Sequence, residues 1–252
     1  MRKTMAMVAM LGLLVLAVGL PVHAGDQSAG STVGKPYGLT YGQWGALWWQ
    51  WALSTSEADN PVLDTTGEDA HRNQFGPVFF LAGTFGPYYL PEGVTYPVIR
   101  DVTVSSKKAF FLPLTNWVLT SPEDSWAIDW YNGENPDARP QLKKLNANAM
   151  QIILDWWLYT YGNLDYLLCE VDGVAVQGER GQSDAFPLYM PPGSIEVTLW
   201  GYAEGWHYPN MSDGMWVMLA PLPAGEHTIH IQNGPPDNLY VEVIYNLTVV
   251  EE

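Results

Sequence analysis

From residue 77 to its C-terminal end the chain is a succession of short apolar runs, at 77–83, 95–104, 109–118, 166–171, 174–177, 195–200, 216–219, 227–232 and 239–250. They are rich in Val, Ile, Tyr and Phe, and Gly, Pro, Asn or Asp stand between them. Runs of that length and composition read as half-buried strands. So many short strands need a second sheet to cover their apolar faces, so the pattern predicts a mainly β chain folded as a single jelly-roll-like β-sandwich. Asp172-Gly173 lies between two of the runs and marks a hairpin turn. Pro223-Ala224-Gly225 marks another turn ahead of the run at 227–232.

Two helical stretches interrupt the strands. Thr40 followed by Gln43 is a capping-box pattern, and Trp44, Leu47, Trp48 and Trp51 recur on one helical face, which predicts a short tryptophan-rich helix over 41–53. Trp49 falls roughly 140° around that helix from Trp44, so the apolar stripe does not explain it. Leu142, Leu145, Ala149, Ile152, Ile153 and Trp156 share a second face, and Gly162 stands where a C-terminal cap belongs. That pattern predicts a long helix over 138–161, packed on a sheet. Ser121-Pro122-Glu123-Asp124 is a helix start leading to Trp126 and Trp130 at i and i+4. No internal repeat or second linker divides the chain, so one domain is expected over 37–252.

The N-terminal end reads as an export signal. Arg2 and Lys3 precede an uncharged apolar run, and Val22-His23-Ala24 offers the small residues that signal peptidase reads, which predicts cleavage after Ala24. The run is shorter than the roughly 20 residues a membrane span needs and is broken by Gly12, Gly19 and Pro21. A secreted or periplasmic product without a membrane anchor is the expectation, and residues 25–36 read as a flexible lead-in. Removing the leader takes away two of the eleven basic residues and no acid, leaving 9 basic against 27 acidic side chains, or −18. Such a surface repels nucleic acid and anionic membranes. Cys169 is the single cysteine, so no internal disulfide can form.

Few reactive constellations are visible. His227 and His230 lie three apart on an expected strand and should face opposite sides, and no zinc-binding spacing occurs. The polar stretch at 55–77 holds Asp59, Asp64, Glu68 and Asp69, hard oxygen donors that make it a candidate calcium loop, with a solvated acidic loop as the alternative and turn capping as the alternative role for Asp64. No nucleophile elbow is present, and Cys169 sits in an apolar strand. Glu170 and Asp172 would share a strand face as a carboxylate pair, unless Asp172 belongs to the hairpin turn.

The stronger signal is the interleaving of aromatics and acids in two connecting segments. Residues 121–137 combine Glu123, Asp124, Trp126, Asp129, Trp130 and Tyr131, and residues 201–213 combine Tyr202, Glu204, Trp206, His207, Tyr208 and Asp213. Indoles stack on the C–H faces of sugars and carboxylates accept from their hydroxyls. Loops at one end of a sandwich can bring two such segments together. Trp126, Asp129, Trp130, Trp206 and Tyr208 are therefore the expected ligand-binding residues, against an alternative in which Trp126 and Trp130 staple their helix to the core.

Six stretches also carry a resemblance: Gln43-Trp44 through Trp48-Trp49-Gln50-Trp51-Ala52-Leu53-Ser54; Asn60-Pro61-Val62-Leu63-Asp64-Thr65-Thr66-Gly67; Gly76-Pro77-Val78-Phe79-Phe80-Leu81-Ala82-Gly83-Thr84; Lys108-Ala109-Phe110-Phe111-Leu112-Pro113; Asp213-Gly214-Met215-Trp216-Val217-Met218-Leu219; and Pro221-Leu222-Pro223-Ala224-Gly225-Glu226-His227-Thr228-Ile229-His230. In order and spacing they resemble a group of uncharacterised secreted bacterial proteins. The resemblance implies export and a β-rich fold, and it transfers no catalytic residue. The cysteine that this group often carries before the Lys-Ala-Phe-Phe stretch is replaced here by the Asp101-Val102-Thr103-Val104 segment, so no disulfide is implied. The functional expectation is a non-enzymatic binding or surface-associated module with a glycan or cell-surface polymer as partner. A secreted carbohydrate-active hydrolase or lyase using loop carboxylates is the first alternative, and a structural envelope protein the second.

Overall fold

The computed structural model describes residues 34–251. The leader expected at 1–24 and residues 25–33 of the lead-in lie outside the described residues. Two five-stranded mixed sheets carry the fold. The first runs β1 (Val78–Phe80), β3 (Ala109–Thr120), β8 (Gly205–Leu219), β6 (Glu179–Arg180), with β7 (Phe186–Met190) also paired to β8. The second runs β2 (Val98–Ser105), β10 (Val241–Val250), β9 (Gly225–Asn233), β4 (Leu167–Val171), β5 (Val174–Ala175). Each sheet contains one parallel pair, β1 with β3 and β2 with β10. Asp172-Gly173 makes the turn between β4 and β5, with Val171 opposite Val174.

The sheets pack face to face. Val98, Val102 and Val104 alternate inward along β2, and Val243, Tyr245, Leu247 and Val249 along β10, to meet Phe110, Leu112, Leu114, Val217 and Leu219 of the first sheet. The first sheet is buried on its other face too, where Phe80, Phe111, Trp216 and Met218 meet helix α1 (Tyr41–Leu53). Double burial explains why residues 109–114 form an unbroken apolar run rather than an alternating one. Helices α2 (Trp126–Glu134) and α3 (Ala147–Tyr161) cover the far end of the same face through Leu119, Met211, Ile128, Met150 and Ile153.

Helix α1 begins with the capping box expected at Thr40 and Gln43. Trp44, Trp48 and Trp51 are buried and their indole N–H groups donate to the carbonyls of Pro36, Leu81 and Arg72. The helix is embedded rather than laid on the surface, so Trp49 is buried as well. Its close seat depends on Gly42, where an added Cβ would fall 2.0 Å from the Gln182 carbonyl oxygen. Gly42→Ala is therefore expected to destabilise the protein by about 1–3 kcal/mol in urea unfolding. An unchanged midpoint would mean that the backbone at 181–183 yields freely.

The segment at 60–67 clasps helix α1 to the second sheet. Asn60 Nδ2 donates to the carbonyls of Ala52 and Thr55, while its Oδ1 accepts from Val62 N–H. From β2 comes Arg100, which is 1% exposed and makes every observed hydrogen bond to a neutral oxygen. Its guanidinium donates to the carbonyls of Val62, Asp64, Ala82 and Gly83 and to the Tyr245 hydroxyl. A buried cation without a carboxylate is held only by a full set of acceptors, and two of the resembling stretches, 60–67 and 76–84, supply the four carbonyls.

Three local expectations are corrected. Residues 195–200 form a helix, α4 (Ile195–Trp200), rather than a strand: Ser194 leads in with extended backbone, and Gly201 ends it in the left-handed conformation at φ 71°. The long helix starts at Ala147, because Asn146 caps it and residues 138–146 are tied down otherwise. Asn132 of α2 both donates to the Leu142 carbonyl and accepts from Leu142 N–H. Residues 205–213, expected as a connection, are the first part of β8. Among the described residues no helix is long and apolar enough to cross a membrane.

Candidate functional site

A cavity of about 940 Å³ opens beside the helical layer. Trp48 and Trp49 of α1, the middle of β3, Trp126 and Trp130 of α2, Trp157 and Tyr161 of α3, and Glu196 and Trp200 of α4 line it. The aromatic lining falls into two groups. Trp126 stacks on Trp130 at 5.9 Å and on Trp157 at 5.9 Å, and Trp130 stacks on Tyr161 at 5.4 Å. Phe85, Tyr89 and Trp200 form the second group, with ring centroids 5.6–6.2 Å apart. Helix α2 anchors itself through Ala127 and Ile128, which leaves Trp126 half exposed and Trp130 38% exposed on its other side. Both rings also pack on Trp157 of α3, a member of the buried core, so the same indoles help to hold their helix down.

Three carboxyl groups stand among the lining residues. Asp124 is buried and fully engaged: its oxygens accept from Thr120 N–H, from Trp126 Nε1–H and from the Tyr202 hydroxyl. Burial nevertheless raises its pKa above the usual carboxylate range, against those three donors. Glu123 meets His207 Nδ1 through Oε1 at 3.2 Å, and His207 Nε2 lies 2.8 Å from the Ala203 carbonyl oxygen. Glu196, 3% exposed, is pushed up to about 8 by burial, with the nearby charge of Asp124 acting in the same direction.

The cavity concentrates unmet hydrogen-bonding capacity. Among the described residues, eight buried side-chain polar atoms find no partner within the protein, and five belong to residues lining this cavity. They are Trp49 Nε1, Trp157 Nε1 and Asn116 Nδ2, which donate, and one oxygen each of Glu123 and Glu196. Buried polar groups are normally paired, so such a concentration marks a place built to meet something else.

The two segments singled out in the sequence do meet, through Glu123–His207 and Asp124–Tyr202. Not all of the residues expected at the site are part of it. Trp126 and Trp130 line the cavity, whereas Asp129 is exposed on α2 away from it. Trp206, 73% exposed on β8, packs on Tyr189 at 5.2 Å beside a separate hollow of about 270 Å³, and Tyr208 is exposed and lines neither space. Alternation along β8 turns Trp206 and Tyr208 outward and His207 inward. Glu196 escaped sequence reasoning because the β-branched residues around it read as a strand. Trp49 did leave a trace, as the indole its helical stripe could not explain.

Three of the carboxylates at 59–69, Asp59, Asp64 and Asp69, have other partners. Asp64 accepts from the backbone N–H groups of Thr66, Gly67 and Asp69, the turn-capping role, and Asp59 and Asp69 both pair with Arg72. No group of three or more His, Cys, Asp or Glu side chains able to hold a metal ion occurs among the described residues. Asp172 belongs to the hairpin turn and bonds His227 and Thr228 N–H, and the buried Asp213 is held in an ion pair by the partly exposed Arg180. The Cys169 thiol is buried and pushed up to about 12 by that burial, which keeps it protonated and inert. Comparison of the chain with protein-family models, with curated proteins and with solved structures found no match, so its function is read from this cavity.

Proposed function

We propose that the protein binds a neutral carbohydrate in the cavity between α1, α2, α3 and α4, as an exported binding module. The observation that carries the reading is the set of five unpartnered polar atoms within an aromatic lining. Three of them donate and two are carboxyl oxygens, and a sugar hydroxyl both donates and accepts. The exposed faces of Trp126 and Trp130 suit the C–H faces of pyranose rings. Glu123, Asp124 and Glu196, together with the acidic balance of the chain, disfavour an anionic polymer. A purely structural envelope role leaves the exposed faces of these indoles and the unpaired buried atoms without a purpose.

A glycan array read alongside intrinsic tryptophan fluorescence tests the proposal. Ligand binding is expected to perturb the emission of the cavity indoles. Replacing both Trp126 and Trp130 with Ala should weaken binding by about 2 kcal/mol or more, roughly 30-fold. Trp206→Ala, outside the cavity, should leave affinity unchanged. Absence of any neutral glycan ligand, or equal affinity after the double substitution, rules the site out.

A further inference from the structure

Glu196 and Glu123 differ from the other acids of the chain in a way that simple binding does not require. Both line the cavity, and each keeps one oxygen that bonds to nothing in the protein. Glu196 is fixed on the first turn of α4, between Ser194 and Gly201. Glu123 is held from behind by His207, which is itself fixed against the Ala203 carbonyl. Asp124, the third carboxyl of the lining, is engaged by Tyr202, Trp126 and Thr120 N–H. Tyr202 joins the elements that carry these carboxyls: its hydroxyl donates to Asp124, the neighbour of Glu123, and its backbone N–H donates to the Glu196 carbonyl oxygen.

We infer that this cavity hydrolyses a glycosidic bond, with Glu196 as the general acid and Glu123 as the base that activates water. The inference rests on the carbohydrate-binding reading and gives that site a reaction. As the bond between the anomeric carbon and the bridging oxygen breaks, its electron pair goes to that oxygen, which takes the Glu196 proton. A water oxygen forms the new bond to the anomeric carbon and yields its proton to Glu123. One water is consumed, two sugar fragments with free hydroxyls leave, and solvent returns the proton from Glu123 to Glu196. Burial keeps Glu196 protonated at neutral pH, the state an acid catalyst needs. Asp124 positions the pair: its charge favours the protonated form of Glu196, and its bond to Trp126 couples that charge to a ring that would stack on the sugar.

The test incubates the purified chain with a panel of neutral polysaccharides, β-1,4-glucan, α-1,4-glucan, xylan and mannan, and measures new reducing ends beside binding by fluorescence. Release of reducing ends from at least one of them is expected. Glu196→Gln should slow that release by about 100-fold or more while binding persists. The same variant should lose far less rate on a dinitrophenyl glycoside of the matching sugar, because dinitrophenolate departs without a proton; a merely structural defect would slow both substrates alike. Glu123→Gln should slow both. Binding without release by the parent chain overturns the catalytic inference and leaves the binding reading standing, whereas failure to bind overturns both. Release at the parental rate by Glu196→Gln removes Glu196 from the role of acid.

Discussion

Arg100→Met is expected to cost the protein about 4 kcal/mol or more and to lower its melting temperature by roughly 10 °C or more. Methionine fills much of the arginine's length but donates nothing. The carbonyls of Val62, Asp64, Ala82 and Gly83 then lose the guanidinium that joins them. Each buried group left unpaired carries a penalty of about 1–3 kcal/mol, and Ala82 retains a bond from the Tyr245 hydroxyl, which limits the total. Against a total stability of roughly 5–15 kcal/mol, the loss removes a large share. Arg100→Lys should recover only part of it, since an ammonium cannot reach the same fan of acceptors. A melting temperature within about 2 °C of the parent for Arg100→Met, well inside the shift set out above, would show that the clasp at 60–67 holds without its cation.

The second large effect is a dependence of stability on pH centred on Glu196. Its carboxyl has an ordinary value of 4.5 and is pushed up to about 8 in the folded protein, by burial first and by the charge of Asp124 in addition. Between those values the folded protein keeps a proton that the unfolded chain has released, so stability falls as pH rises through the window. At about 1.4 kcal/mol per pKa unit, the loss by pH 9 is on the order of a few kcal/mol. Glu196→Gln, which cannot ionise, should flatten the curve of melting temperature against pH between 5 and 9 and leave the variant the more stable protein at the alkaline end. Asp124 is raised in the same direction by its own burial and adds a loss of the same sign as pH rises. Parallel curves for parent and variant would show that the Glu196 proton is not coupled to folding.

The parts of this fold that were legible in the sequence are those set by local period and local capping. Strand alternation in β2 and β10, the capping box of α1 and the Asp172-Gly173 hairpin each depend on residues a few positions apart. Helix α4 was misread because Ile195, Val197 and Thr198 favour extended backbone, while the residues that decide the matter, Ser194 and Gly201, stand at its ends. The start of α3 was placed too early because Leu142 and Leu145 continue its apolar stripe, although Asn132, ten residues before Leu142, takes both backbone groups of that leucine. The candidate site was half visible for the same reason. Aromatics and acids at 121–137 and 201–213 point to two segments that do meet in the fold, but alternation along β8 turns Trp206 and Tyr208 away and brings His207 in. The convergence of Glu196, Glu123 and Asp124 is a property of the folded chain, because no spacing relates residues on three elements that meet only through tertiary packing.

Helix α1 places Trp51 in the core, and Trp48 and Trp49, the latter with an unpaired indole N–H, both in that core and at the wall of the cavity. Any change that shifts this helix to suit a different ligand also disturbs the core of the first sheet. Selection acting on this chain therefore cannot retune the deep end of the cavity and the stability of the protein as separate traits. Variation in specificity has its freest path through the half-exposed rings of α2 and α4, where a side chain can be exchanged without reopening the core.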